Sequence, residues 1–127
     1  MKVRSDLSSS LSEAQLQAWA ADWLDFALPS DAIAHHSSNE GKRGWMAQKA
    51  FKQSGAKKGW PDFEIIYRGR AYFLELKSAK GRITPDQALI HTRLWDSGAA
   101  VVICRSQDDV EKAVRNFGIP LRMTVAA

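Results

Sequence analysis

The stretch that decides the fold is Asp62-Phe63-Glu64-Ile65-Ile66-Tyr67-Arg68-Gly69-Arg70-Ala71-Tyr72-Phe73-Leu74-Glu75-Leu76-Lys77. Two runs rich in β-branched and aromatic residues flank Arg68-Gly69-Arg70, and a tight Gly-containing turn between such runs reads as a β-hairpin. Its strands are expected over 62–67 and 71–77. Along the second, side chains alternate between faces, so Tyr72, Leu74 and Leu76 point one way and Glu75 and Lys77 the other. Asp62 opens the first strand and, once the hairpin closes, lies beside the Glu75 end of its partner. Two carboxylates and an amine therefore converge at one end of a sheet.

The flanking elements follow from local signals. Ser10-Leu11-Ser12-Glu13 reads as a capping box with Glu13 as the third-position partner of Ser10, and Leu16, Trp19, Ala20, Trp23 and Ala27 repeat at helical spacing up to Pro29. A first helix is expected from 11 to 27. Ala32 to His36 is a short strand, and 37–41 is a loop rich in Ser, Asn and Gly. A second helix is expected from Arg43 to Gln53, ended by Ser54-Gly55. Thr84-Pro85-Asp86-Gln87 supplies a capping Thr, a Pro at the first helical position and a Gln at the third, so a third helix runs to Ser97 and ends at Gly98. Ala100 to Cys104 is a continuous apolar run, expected of a strand buried on both faces. Ser106 caps a last helix to Phe117, ended by Gly118 and Pro120, and the tail beyond has no readable pattern. The order α, β, α, β, β, α, β, α makes this an α/β chain with a mixed β-sheet flanked by helices.

With 127 residues the chain is long enough for one domain and too short for two independent ones, so 1–127 is read as one unit with its core over 11–117. Hydrophobic residues at 45% and charged residues at 25% are ordinary for a globular chain and unlike a disordered one. The single cysteine, Cys104, lies in the apolar run and is expected as a buried small hydrophobe, which fits a reducing cytoplasm. Nowhere do about 18 apolar residues follow one another, so neither a membrane span nor a membrane partner is expected. Eighteen Lys and Arg against 14 Asp and Glu give a formal charge of +4 and a pI near 9.4, which favours a polyanionic partner. Lys42, Arg43, Lys49, Lys52, Lys57 and Lys58 cluster ahead of the hairpin, and Arg68, Arg70, Lys77, Lys80 and Arg82 follow. The positive charge is thus concentrated around the converging carboxylates. A solvated basic surface and a nucleic-acid interface both explain such a cluster.

Hydrolysing a phosphodiester needs a hard cation to neutralise phosphate and activate water, and Mg²⁺ is held by one or two carboxylates with several waters retained. Asp62 and Glu75 supply such oxygens, and the backbone carbonyl of Leu76 lies between Glu75 and Lys77 as a further candidate ligand. A lysine two residues after a metal carboxylate is placed to orient the attacking hydroxide and stabilise developing negative charge. Lys77 has that position. A lone Glu-x-Lys is better read as an exposed cross-strand ion pair. Here it sits on adjacent strands with apolar residues at Phe63, Ile65, Phe73, Leu74 and Leu76, followed by Gly81 and a capped helix, which favours a metal-dependent nuclease.

Gly55-Ala56-Lys57-Lys58-Gly59-Trp60-Pro61-Asp62-Phe63, Phe73-Leu74-Glu75-Leu76-Lys77 and Gly81-Arg82-Ile83-Thr84-Pro85-Asp86-Gln87, in that order, resemble the VRR-NUC domain of the PD-(D/E)XK nuclease superfamily. The resemblance covers residues 11 to 106, and the ordered set is far more specific than any one motif. It implies a restriction-endonuclease-like core, dependence on Mg²⁺ or Mn²⁺, and cleavage of DNA, with branched structures a substrate class of stand-alone members. It further implies Asp62 and Glu75 as metal ligands and Lys77 as the catalytic lysine. The family's acidic residue in the first helix is matched by Glu13, and its glutamine after the lysine strand by Gln87. Both also sit in capping boxes, Glu13 with Ser10 and Gln87 with Thr84; the Thr-Pro turn shared with the family favours an active-site, catalytic role for Gln87, while for Glu13 the cap and a metal-ligand role stand level.

Lys42, Arg43, Lys57, Lys58, Lys80 and Arg82 are the candidate DNA contacts. Trp45, after the basic segment Gly41-Lys42-Arg43-Gly44, is suited to an exposed contact with nucleic acid or to a homodimer interface, and two copies would match a substrate with two equivalent strands. Trp19 and Trp23, at helical spacing, belong to the core. His35 and His36 face opposite ways on a strand and cannot serve one ion; they and His91 read as ordinary satisfied or exposed histidines. Glu64 shares the face of Asp62 but lies about 6 to 7 Å along the strand. Two other classes compete with a nuclease: a non-catalytic DNA-binding module on the same fold, and a protein-interaction domain with a fortuitous Glu-x-Lys strand. Binding alone has no need for two carboxylates beside phosphate, which counts against the first. The basic cluster counts against the second.

Overall fold

The computed structural model describes residues 11–37 and 44–125. Its elements are α1 (Glu13–Ala27), β1 (Ala32–His36), α2 (Trp45–Gln53), β2 (Phe63–Tyr67), β3 (Arg70–Leu76), α3 (Pro85–Asp96), β4 (Ala100–Cys104) and α4 (Gln107–Asn116). The α/β order is the one expected. The strands form a single mixed sheet in the order β1-β2-β3-β4, with β1/β2 and β2/β3 antiparallel and β3/β4 parallel.

The β2–β3 hairpin closes through only two residues. Arg68 and Gly69 both have positive φ, 50° and 79°, the requirement of the turn whose twist matches that of the flanking strands. Arg70 thereby pairs with Tyr67 and starts β3, one residue earlier than the three-residue turn read from sequence. Asp62 and Lys77 fall just outside the ends of β2 and β3.

One face of the sheet carries Phe63, Ile65, Leu74, Leu76 and Cys104, packed against Leu16, Ala20, Trp23 and Leu24 of α1 and Val110 and Val114 of α4. The Cys104 thiol is buried here, and desolvation with the nearby Asp109 carboxylate pushes its pKa up to about 12. It behaves as the small hydrophobe expected. α3 covers part of the other face, packing on β4. It leaves Ile103 39% exposed, so β4 is not buried on both faces. An outermost strand covered by one short helix has room for a partly solvated residue, and a continuous apolar run does not distinguish an edge strand from a central one.

Helix α1 begins at Glu13 and is capped by Ser12, whose Oγ accepts the Gln15 N–H at 3.1 Å while Gln15 Oε1 accepts the Ser12 N–H at 2.9 Å. The cap is thus two residues later than the Ser10–Glu13 box; Ser10 lies outside the described residues. Glu13 is the first helical residue rather than the third. There its charge suits the positive end of the helix dipole. Helix α2 starts at Trp45 behind Gly44 and contains no buried residue. The tail, unreadable in sequence, docks on the end of α1: Ile119 enters the core, and Arg122 donates its backbone N–H to Ala27 O at 2.7 Å and Nη2 to Phe26 O at 3.1 Å.

Candidate active site

Antiparallel pairing of Phe63 with Leu74 sets Asp62 opposite Glu75 when extended by one residue. Directly opposed residues share a sheet face with Cβ atoms about 4.5 to 5.5 Å apart. That face is the one under α3. Asp62 is 6% exposed, Glu75 1% and Lys77 7%, and these three are the buried polar or charged side chains among the described residues. Removing an ion from water costs several kcal/mol even after relaxation. Three such groups at one sheet end are therefore a constellation the fold maintains at a cost, as active sites do.

Each is held by backbone or by α3. The Lys77 N–H donates to Cys104 O at 3.0 Å on the β4 side, so the Leu76 N–H, one residue earlier, points toward β2. Register brings Pro61 opposite Leu76, and the Asp62 carboxylate takes this N–H through Oδ2 at 2.7 Å. In a strand the N–H and C=O of one residue point the same way, which turns the Leu76 carbonyl toward Asp62 as well. The Asp62 carbonyl accepts the Ser37 N–H at 2.8 Å, continuing the pairing with β1.

Glu75 is gripped from α3 at both oxygens. Gln87 Nε2 donates to Oε2 at 3.2 Å, and His91 Nε2 lies 3.1 Å from Oε1. Gln87 also closes the α3 capping box, its Oε1 accepting the Thr84 N–H at 2.9 Å while its own N–H donates to Thr84 Oγ1 at 3.1 Å. Gln87 is thus both the third residue of the capping box and a hydrogen-bond partner of Glu75. Using its oxygen for the cap forces its amide nitrogen toward the carboxylate. Burial, and then the Lys77 ammonium, lower the His91 pKa below its ordinary 6.5 against an opposing pull from Asp62. With its proton on Nε2, the ring donates to the carboxylate it faces. Sequence reasoning passed over His91 as an ordinary histidine; its signal was its place four residues after Gln87 on the same helix face.

The loop before Asp62 packs on the first turn of α3. A Cβ at Gly59 would stand 2.6 Å from the backbone C and O of Asp86 and 2.8 Å from the Gln87 nitrogen. Trp60 meets Phe73 edge-on, with ring centroids 5.5 Å apart. Beyond Lys77, Arg105 Nη1 gathers the loop carbonyls of Ser78 at 2.9 Å and Gly81 at 2.7 Å. Arg105 thus shapes the segment carrying Lys80 and Arg82, and nothing in the sequence pointed to it.

Lys57, Lys58, Lys80 and Arg82 are exposed, and Lys58 makes a surface ion pair with Asp86 at 3.5 Å. Lys42 and Arg43 lie outside the described residues. Trp45 is 70% exposed, with Lys49 Nζ 5.4 Å from its ring centroid. Glu13 is half-buried in the first turn of α1. Glu64 pairs with His35 and Phe73, farther along the same face. Among the described residues no helix is long and apolar enough to cross a membrane.

The sequence profile of the VRR-NUC domain matches residues 2–108. Comparison with curated proteins and with solved structures gives no match. The profile spans most of the chain and takes in β1 to β4, the Gly59 loop and the α3 cap, and the mixed four-stranded sheet with its four helices is compatible with a restriction-endonuclease-like core. The chain therefore belongs to the VRR-NUC family, a nuclease-domain family of the restriction-endonuclease-like superfamily, and its function is nuclease-type processing of DNA.

Proposed function

We propose that the chain is a divalent-metal-dependent DNA endonuclease in which Asp62, Glu75 and the Leu76 carbonyl hold Mg²⁺ or Mn²⁺, while Lys77 and Gln87 complete the site. The observation that carries this reading is that the buried charged residues of the described chain are Asp62, Glu75 and Lys77. The donor set fits the ion. Among the described residues no three His, Cys, Asp or Glu side chains form a metal-holding group, and two carboxylates with one carbonyl are what Mg²⁺ takes while keeping waters. When bound, such a cation neutralises phosphate charge and lowers the pKa of water.

The chain's own residues do the rest. Asp62 is tied to the Leu76 N–H through Oδ2, which fixes its carboxylate at the site. Glu75 is held at both oxygens by partners on α3. The Lys77 ammonium, on the same face, orients the attacking water and stabilises the charge that builds on the phosphate oxygens in the transition state. Gln87 holds Glu75 in place. The exposed Lys57, Lys58, Lys80 and Arg82 flank the site from the loops before and after the hairpin and pair with DNA phosphates; Lys42 and Arg43 extend that basic run along the sequence. Branched DNA is the substrate class in keeping with stand-alone members of the family, and a homodimer would offer one site to each of two strands.

The test is a panel of labelled junction, flap and linear DNAs, incubated with Mg²⁺, Mn²⁺ or a chelator. Cleavage is expected only with metal and not in Glu75→Ala. Metal-independent cleavage, or DNA binding with no cleavage under any metal, would refute the proposal; the second outcome would identify a DNA-binding module.

A further inference from the structure

Glu75 is almost completely enclosed, and α3 meets both of its carboxylate oxygens with side chains one helical turn apart. Gln87 donates to Oε2 at 3.2 Å and His91 stands 3.1 Å from Oε1. One hold alone leaves the carboxylate free to turn, because the terminal torsion of Glu is broad and roughly two-fold. Two holds on opposite oxygens fix its plane. Each oxygen thus meets its own partner on α3, and the orientation of the carboxylate is set by the helix rather than by Glu75 itself. The hold is stiff. Gln87 is anchored by the Thr84 cap, and His91 is 12% exposed on a helix whose Ile90 is buried. Side chains four apart on a helix lie on one face, so a single placement of α3 positions both donors.

We propose that His91 is a positioning residue of the nuclease site, donating Nε2–H to Glu75 Oε1 so that, with Gln87 on Oε2, the carboxylate is aimed at the divalent cation. The proposal rests on the metal-site reading above. It makes His91 a partner of the ligand and not a ligand, in keeping with the absence of a three-side-chain metal group among the described residues. Hydrogen-bonded partners of metal ligands contribute about 10- to 100-fold to metal affinity.

The test is a Mn²⁺ titration of the full chain without DNA, following free Mn²⁺ by electron paramagnetic resonance, with circular dichroism on each variant to confirm folding. His91→Ala is expected to weaken Mn²⁺ binding by about 10- to 100-fold. His91→Gln, which returns an N–H donor near the Nε2 position, is expected to recover most of that loss. DNA affinity measured in chelator should be unchanged in both. Wild-type Mn²⁺ affinity in folded His91→Ala, while Glu75→Ala has lost it, overturns the role of His91 and leaves the metal site standing. A loss well beyond 100-fold that His91→Gln does not relieve makes His91 a direct ligand and likewise overturns the proposal. Wild-type affinity in Glu75→Ala overturns the metal-site reading and this inference with it.

Discussion

Gly59→Ala should damage the site without replacing any of its charged side chains. Gly59 has φ of +87°, where an L side chain costs about 1–2 kcal/mol. Its new Cβ would also stand 2.6 Å from the Asp86 backbone and 2.8 Å from the Gln87 nitrogen, and backbone atoms in the first turn of a helix cannot step aside singly. Overpacking of this kind costs about 1–3 kcal/mol, so the whole loss is expected at about 2–5 kcal/mol from these two sources. Gly55→Ala is the internal control: φ is +89° but nothing lies within 4 Å of the added atom, leaving only the conformational cost of about 1–2 kcal/mol. Urea unfolding of both variants gives the difference, and cleavage assays give its consequence. Relief of the clash moves either the Asp62 loop or the Gln87 end of α3, so Gly59→Ala should lose activity at temperatures where it is still folded, and Gly55→Ala should not. Equal stability losses in the two variants would refute the packing of this loop on α3.

Three further outcomes are expected. Asp62→Ala should abolish cleavage and, by stranding the buried Leu76 N–H, destabilise the fold by about 1–3 kcal/mol; cleavage near the wild-type rate in the folded variant would remove Asp62 from the site. Lys77→Ala should bind DNA and metal nearly normally yet lose on the order of 10² to 10³ in single-turnover kcat; a normal rate at saturating enzyme would reduce Lys77 to a phosphate contact. Neutralising Lys57 and Lys58 together should reduce the slope of log affinity against log salt by about 2, because each phosphate contact contributes about 0.9, and an unchanged slope would place the DNA path elsewhere.

Features set by local chemistry were legible in the sequence. Thr84-Pro85-Asp86-Gln87 specifies the start of α3 within four residues, and Ser106 and Gly118 bound α4 in the same way. What could not be read depended on tertiary choice. Ser10-x-x-Glu13 and Ser12-x-x-Gln15 are both valid capping boxes, and the one used is two residues later. The exposure of Ile103 follows from β4 lying at the edge of the sheet. The docking of Arg122 on the end of α1 joins residues almost a chain length apart, and Arg105 reaches the loop after Lys77 only because β3 and β4 are parallel neighbours. No window of sequence contains either contact.

The candidate site was legible in the apolar pattern, but its exact pairing lies in the turn. A three-residue turn over Arg68-Gly69-Arg70 would pair Tyr67 with Ala71 and, carried along the ladder, set Asp62 against Leu76, whose side chain belongs to the core face. The two-residue turn pairs Tyr67 with Arg70 and sets Asp62 against Glu75. A one-residue slip in a sheet exchanges its faces, so Arg68 accepting a φ of 50° is what brings the two carboxylates together under α3. Their convergence could be anticipated from sequence because the apolar pattern fixes the faces, while the exact pairing required the turn. His91 was missed for the complementary reason. Its role depends on how far α3 is rotated over the sheet, and that rotation is set by Ile90 and the Gly59 contact with Asp86 and Gln87, neither of which marks a histidine as part of a site until the helix has been placed.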